Sequence, residues 1–382
     1  MKKLSQFIHL SLLWAVAAIV STVTQDANAQ NGNLAEPLEI LRNATFGPEG
    51  QLDQQRAWKQ VSTAKIEHLP TILAAMKDTS PLAANWLCMA ADAVAEREFN
   101  ASGTLPQKML ESFATNVAHS PRGRRIAFQW LERVDPSAKE RLLPAMLDDS
   151  SLELRYEAVA QLLDKVDLET ADDKKTQLYQ KAFASARDVE QIESIAKKLT
   201  ELGKPADLVQ QMGYVVDWQL VGPFDNTDLA GFATAFGPEA NNNTAATYRG
   251  KASNVSWSSY HSEDEKGIVD LNEAIGDEKE VVAYAKATVM SEQTQPVQFR
   301  VASNNAIKLW VNGKQLTEHN VYHSGFAVDQ HVADAQLKVG ANQVLLKVCQ
   351  NAKKMGWEKE WEFRLRITDA LGGAAEVAVQ QK

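Results

Sequence analysis

The sequence predicts two folds in succession, an α-solenoid of helix pairs followed by an antiparallel β-sandwich. Three observations predict this. Up to about residue 212, glycine is sparse and apolar residues recur at intervals of three and four. Within that half a Leu-Pro pair opens a helical stretch three times at near-equal spacing. Beyond it, glycine, aromatic and β-branched residues rise and the apolar period falls to two. Met212-Gly213 is the boundary, giving a helical domain over 30–212, a β-domain over 213–370 and a flexible tail over 371–382.

The first element is a leader. Lys2 and Lys3 give it a positive start, Phe7 to Val20 is mostly apolar, and Ala27-Asn28-Ala29 is a small-x-small cleavage site. Those parts in that order predict a signal peptide over 1–29, cleaved before Gln30, and a periplasmic or extracellular destination. The apolar run is shorter than the roughly 20 residues of a membrane span. No Cys follows the cleavage site to carry a lipid, and no span is expected after cleavage. Losing Lys2, Lys3 and Asp26 with the leader takes the formal charge from -9 to -10. That acidity gives no electrostatic reason to bind nucleic acid or anionic lipid. Cys88 and Cys349 lie far apart in sequence and read as two buried thiols.

The helical elements come in pairs. Leu69-Pro70, Leu105-Pro106 and Leu143-Pro144 stand 36 and 38 residues apart. Proline suits a first helical turn, which has no use for its missing N–H. Each helix stops at a short polar turn: Asp78 to Pro81, His119 to Pro121, and Asp148 to Ser151. The Ser, Thr and Asp residues there suit the cap of the next helix. That next helix carries one apolar face, as in Ala90, Ala91 and Val94, then Ala127, Trp130 and Leu131, then Ala158, Val159 and Leu162. One such pair cannot bury its stripe alone, so neighbours must stack. Residues 34–61 and 177–202 are expected to add flanking pairs. A plain helical bundle is the other arrangement this pattern allows.

Residues 142–162, with Asp149 in the turn and Arg155 early in the second helix, resemble a HEAT-type repeat. The other two units depart from that pattern, with Asn85 and Arg125 near the Arg position and His119 near the Asp. The resemblance implies a scaffold that takes a protein partner on its helices.

The β-half opens with a strand from Tyr214 that ends at Gly222-Pro223. Strands follow over 281–290, then around Val297, Phe299 and Val301. Ala306 to Val311 is a half-buried strand that enters a two-residue hairpin at Asn312-Gly313, because both turn positions need positive φ. Lys338 to Asn342 turns the chain into a strand carrying Val344, Leu346 and Val348. A last strand carries Trp361, Phe363, Leu365 and Ile367. Many short alternating strands separated by turn signals predict a sandwich.

Trp218 to Phe224, Ala283 to Ala285, Ser303 to Lys314 and Leu337 to Val348 resemble the galactose-binding-domain-like jelly rolls, including the sugar-binding module of family 2 glycoside hydrolases. The resemblance covers most of 214–369 and implies carbohydrate binding. Many relatives carry acidic residues where this chain has Asn304-Asn305, which leaves a structural calcium unsupported. No other cofactor is expected.

Aromatic residues are the stronger lead to a ligand. Trp218 and Trp361 fit the core by alternation. Trp310, Tyr322 and Trp357 fall off the core face or in loops, and Trp257 fits either place; these four and Tyr260 are the candidate ligand-binding residues, since an indole or phenol face stacks on a sugar. His319, His323, Asp329 and His331 cluster in sequence but read as a polar loop, not a metal site. Glu263-Asp264-Glu265 and Asp277-Glu278 read as solvated runs, although a glycosidase needs two carboxyls across a cleft. No nucleophile motif is present, and no catalytic residue is assigned. The expected role is an exported, non-catalytic binding or scaffold protein that holds a glycan or a cell-envelope partner. The alternatives are an accessory polysaccharide hydrolase and a structural spacer.

Overall fold

The computed structural model describes residues 33–241 and 243–380. The expected leader over 1–29 lies outside them. Helices come first and antiparallel sheets follow. The last helix before the sheets ends at Met212, Gly213 adopts the left-handed conformation at its cap, and the first strand begins at Asp217. The compact units divide elsewhere, at Pro136 and Ser137, so the helices after 137 belong to the same unit as the sheets.

The first unit holds helices Ala35–Arg42, Gln51–Ser62, Leu69–Ala74, Pro81–Ser102, Gln107–Thr115 and Pro121–Val134. The polar turns cap as their composition requires. Ser80 Oγ accepts the N–H of Ala83 at 3.2 Å, and Ser120 Oγ that of Gly123 at 3.1 Å. Leu69, Leu73, Leu87, Ala90, Ala91, Val94, Ala127 and Leu131 are buried along the apolar stripes. Each large aliphatic among them contributes roughly 1.5–3 kcal/mol of transfer free energy. Gly123 lets two segments meet, because a Cβ there would lie 2.7 Å from the Leu73 carbonyl oxygen.

Arg124 is buried and donates Nε–H to the Ala114 carbonyl at 2.8 Å. In the second unit, Arg155 donates Nε–H to the Asp149 carbonyl at 2.9 Å. Each arginine stands four residues after its serine cap, Ser120 or Ser151. Arg124 thus makes the contact that Arg155 makes, one residue before the Arg125 noted near that position in the sequence. Arg125 instead pairs with Glu132 at 3.6 Å.

The second unit opens with helices Ala138–Leu142, Leu152–Leu168, Asp172–Ser185, Val189–Glu201 and Leu208–Met212. Thirteen strands follow among the described residues: β1 (Asp217–Asp225), β2 (Thr247–Arg249), β3 (Asn254–Ser256), β4 (Ser258–His261), β5 (Val269–Asp270), β6 (Val281–Ser291), β7 (Gln295–Ala302), β8 (Ala306–Val311), β9 (Lys314–His319), β10 (His331–Leu337), β11 (Gly340–Gln350), β12 (Glu362–Thr368) and β13 (Ala378–Val379). A seven-stranded sheet runs β4-β1-β6-β11-β8-β9, with β13 also paired to β6. A four-stranded sheet runs β10-β7-β12-β5, and β2 and β3 form a separate hairpin. The two larger sheets share one core: Trp218, Ile307, Leu309, Val344, Leu346 and Val348 from one meet Val297, Phe299, Val301, Phe363, Leu365 and Ile367 from the other.

The hairpin at Asn312-Gly313 has φ of 51° and 78°, and Val311 pairs with Lys314. That is the two-residue turn the Asn-Gly pair demands. Two boundaries differ from expectation. β1 does not end at Gly222-Pro223. It runs through them to Asp225 with a register shift between Val221 and Phe224. The bulge absorbs the proline, which has no N–H to give to the ladder. Residues 371–380, expected as a flexible tail, also carry backbone pairing. Thr368 bridges Ala374, and Ala378 and Val379 pair with Met290 and Val289 on β6.

Candidate functional site

Alternation decides what the outer face of the seven-stranded sheet displays. Trp218 and Leu220 point into the shared core, so Asp217 and Gln219 point away from it. Ala285 and Ala287 do the same for Lys286 and Thr288. Pairing places Ser259 opposite Gln219, Gln219 opposite Lys286, and His261 opposite Asp217. Three adjacent strands therefore present a patch of polar side chains. They line a cleft of about 240 Å³ together with Thr244, Tyr260 and Gln380.

The cleft is internally hydrogen-bonded. Gln219 Nε2 donates to Ser259 Oγ at 2.7 Å, and Thr288 and Gln343 join through their side chains at 3.1 Å. His261 Nδ1 lies 2.8 Å from Asp217 Oδ1. With the imidazole neutral, that contact places the proton on Nδ1 and leaves Nε2 as an acceptor. Lys286 is nine-tenths buried in the wall. Asp217 is the one carboxylate among the described residues that line the cleft, so the paired carboxyls of a glycosidase do not meet there.

Further along the same face lies a second apolar cluster. Val221, Phe224, Phe232, Val282, Tyr284, Leu345 and Cys349 are buried in it. Phe232, Phe236 and Tyr248 bring residues 226–241 and 243–250 onto this cluster, as a strap across the sheet. Lys347 lies beneath it, fully buried, donating to the carbonyls of Phe232 and Thr234 at 3.2 and 2.7 Å and to Glu239 Oε1 at 2.9 Å. Tyr284 Oη donates to the same carboxylate oxygen. Burial first, and that bond second, push the phenol far up from its ordinary value. Burial also pushes the Cys349 thiol up to about 12, which leaves it a poor nucleophile.

The five aromatic candidates are dispersed. Tyr260 packs against the shared core and borders the cleft. Trp257, Trp310 and Tyr322 are half-buried against the strapped cluster, away from the cleft lining. Trp310 does face away from the main core, as alternation implied, but the face it joins is already covered. Tyr322 Oη accepts from Asn226 Nδ2 at 3.2 Å. Trp357 stands in a 3-10 turn, Gly356–Lys359, and its side chain lies outside the described residues.

The histidine cluster separates in space. His319 and His331 stack ring on ring with centroids 3.6 Å apart. His323 pairs with Asn351 Nδ2 at 2.7 Å, and Asp329 bridges Arg300 and Arg366. Among the described residues, no group of three or more His, Cys, Asp or Glu converges as metal ligands. Glu263, Asp264 and Glu265 line an open cleft with Asp207 and His261, while Asp277 pairs with Lys279 at 2.8 Å.

Sequence reasoning missed Asp217, Gln219, His261 and Lys286. Their signal was available as polar residues alternating with buried Trp218, Leu220, Ala285 and Ala287. What joins them is strand order: β1 lies between β4 and β6, pairings separated by tens of residues.

No family model matches the chain, and no curated protein sequence matches it. Among solved structures it is similar to the β-glucosidase of Kluyveromyces marxianus, at 8% identity and a TM-score of 0.26, over 73% of this chain and 35% of that one. It is similar to the same enzyme in complex with glucose at 8% identity and a TM-score of 0.25, over 74% and 36%. The chain spans about a third of the length of those structures.

Proposed function

We propose that the two-sheet part is a saccharide-binding module and that its ligand occupies the cleft across β4, β1 and β6. One observation carries this reading: Ser259, Gln219 and Lys286 form a row across three strands, with His261 and Asp217 in the row beside it. Adjacent strands lie about 4.8 Å apart, on the scale of one sugar ring. Hydroxyls both donate and accept, and this lining offers both: an acceptor-only carboxylate, a donor-only ammonium, and amide and hydroxyl groups that do either. Tyr260 supplies an aromatic edge at the margin. We read the sheets as a jelly roll of the galactose-binding type, and the helix pairs as HEAT-like repeats that take a protein partner. The matched contacts of Arg124 and Arg155 support the repeat reading. In this proposal the protein is exported, non-catalytic and a scaffold at the cell envelope.

The test is binding of the full chain to immobilised xylan, laminarin, galactan, alginate and isolated sacculi. Gln219→Ala is expected to weaken capture at least tenfold, with Trp310→Ala close to wild type. No capture on any of these surfaces, or capture indifferent to Gln219→Ala, overturns the reading. Loss in Trp310→Ala alone moves the ligand to the strapped cluster.

A further inference from the structure

Two arginine pairs in the second unit are built differently. Arg300 and Arg366 are joined by a carboxylate: Arg300 Nη1 lies 2.7 Å from Asp329 Oδ2, and Arg366 Nε lies 2.6 Å from Oδ1. The other pair is Arg155 and Arg187. Gln191, at the start of the helix after Arg187, donates to the carbonyl of Tyr156 at 3.1 Å, which pins that segment beside Arg155. Arg155 is 5% exposed and spends Nε on the Asp149 carbonyl. Its approach to Asp148 is 4.0 Å, and that carboxylate is largely in solvent. Arg187 spends Nη1 on the carbonyls of Ala184 and Ala186 at 2.9 and 2.8 Å.

Two buried donor nitrogens are left over. Arg155 Nη1 and Arg187 Nε are buried with no hydrogen-bond partner. A buried donor left unmade costs about 1–3 kcal/mol, and more when it is charged. Burial first and Arg187 second hold the Arg155 guanidinium below its ordinary value, with Asp148, Asp369 and Asp149 opposing them. Of the other acids, Asp369 uses its Oδ1 to accept the N–H groups of Leu371 and Gly373 at 2.8 and 3.0 Å. Among the described residues no carboxylate lies within ion-pair distance of Arg187. Gly373 adds a geometric observation. A Cβ there would lie 2.6 Å from Arg187 Nε, so this turn comes close against the guanidinium. Arg187 also lines an open cleft of about 340 Å³ with Phe183, Asp207, Gln210, Gln211 and Ala374. Asp207 is committed there as a helix cap, accepting from Gln210 N at 2.8 Å.

We propose that Arg155 and Arg187 form a binding site for a tetrahedral oxyanion, sulfate or phosphate, which enters through the Arg187 cleft and takes the bridging place that Asp329 holds between Arg300 and Arg366. A planar, forked guanidinium suits such an anion. Entry requires a small shift of the 369–374 turn, since both orphaned donors are enclosed.

The experiment is thermal unfolding and calorimetry of the full chain with sodium sulfate or sodium phosphate against sodium chloride at matched ionic strength. A saturable rise in Tm of several degrees is expected with one or both oxyanions and not with chloride. Arg187→Gln is expected to weaken saturation at least tenfold. Arg155→Met is expected to do the same, and if it fails to fold, the half-buried Arg187 carries the test. An equal rise in chloride, or wild-type saturation in Arg187→Gln, overturns the proposal. Dextran sulfate separates the sources: its binding without any response to inorganic ions means a diffuse polyanion effect and overturns a built site. None of these outcomes bears on the saccharide cleft.

Discussion

The ammonium of Lys347 lies 2.9 Å from the carboxylate of Glu239, 108 residues earlier in the chain. One residue belongs to the middle of β11, the other to the strap that crosses it. Lys347 has no exposed surface, so the contact that satisfies its charge also fixes the strap.

Removing one member of such a pair leaves a buried charge behind, which costs about 3–5 kcal/mol. Glu239→Gln is expected to destabilise the second unit by that order and to expose the 226–250 strap to protease. Lys347→Met with Glu239→Gln together should recover much of the loss. Urea unfolding and limited proteolysis measure both. An unchanged midpoint in Glu239→Gln would sink the clamp reading.

Glu362 gives the second unit a pH dependence. Burial, with repulsion from Glu360 and Asp270, pushes its carboxyl up to about 7 from an ordinary 4.5. A carboxyl raised in the folded state contributes stability that is present below its unfolded value and is lost as pH rises through 7. After allowance for solvent screening at this partly exposed group, the loss is on the order of 1 kcal/mol. Glu362→Gln is expected to flatten the stability profile between pH 5 and 8, read by denaturant midpoints at each pH.

The serine caps make a local prediction. Ser120 Oγ accepts the Gly123 N–H at 3.1 Å at the start of Pro121–Val134. Ser120→Ala is expected to cost about 1 kcal/mol, and Ser120→Asp to retain most of the cap. Chemical denaturation of the three proteins distinguishes them.

Much of the fold was legible because its signals are local. A serine before a helical stripe caps it whatever surrounds it, and Asn312-Gly313 makes its turn because few other pairs tolerate two positive φ values. Alternation alone places Trp218, Trp361 and the β11 and β12 apolar rows in the core. The arginine register was off by one residue, since only the direction of the side chain distinguishes Arg124 from Arg125.

The cleft and the strap were not legible in this way. Trp310-Val311-Asn312-Gly313 alone specified a strand, a turn and an indole off the main core, because period and turn chemistry are properties of neighbouring residues. Whether that indole met solvent or a cover depended on where residues 226–241 and 243–250 folded, and nothing local to Glu239 says that Lys347 lies under it. Likewise Gln219 became the centre of a polar row only when β4 and β6 paired on either side of β1. Strand order and charge partners come from long-range packing, and no local pattern in the sequence encodes them.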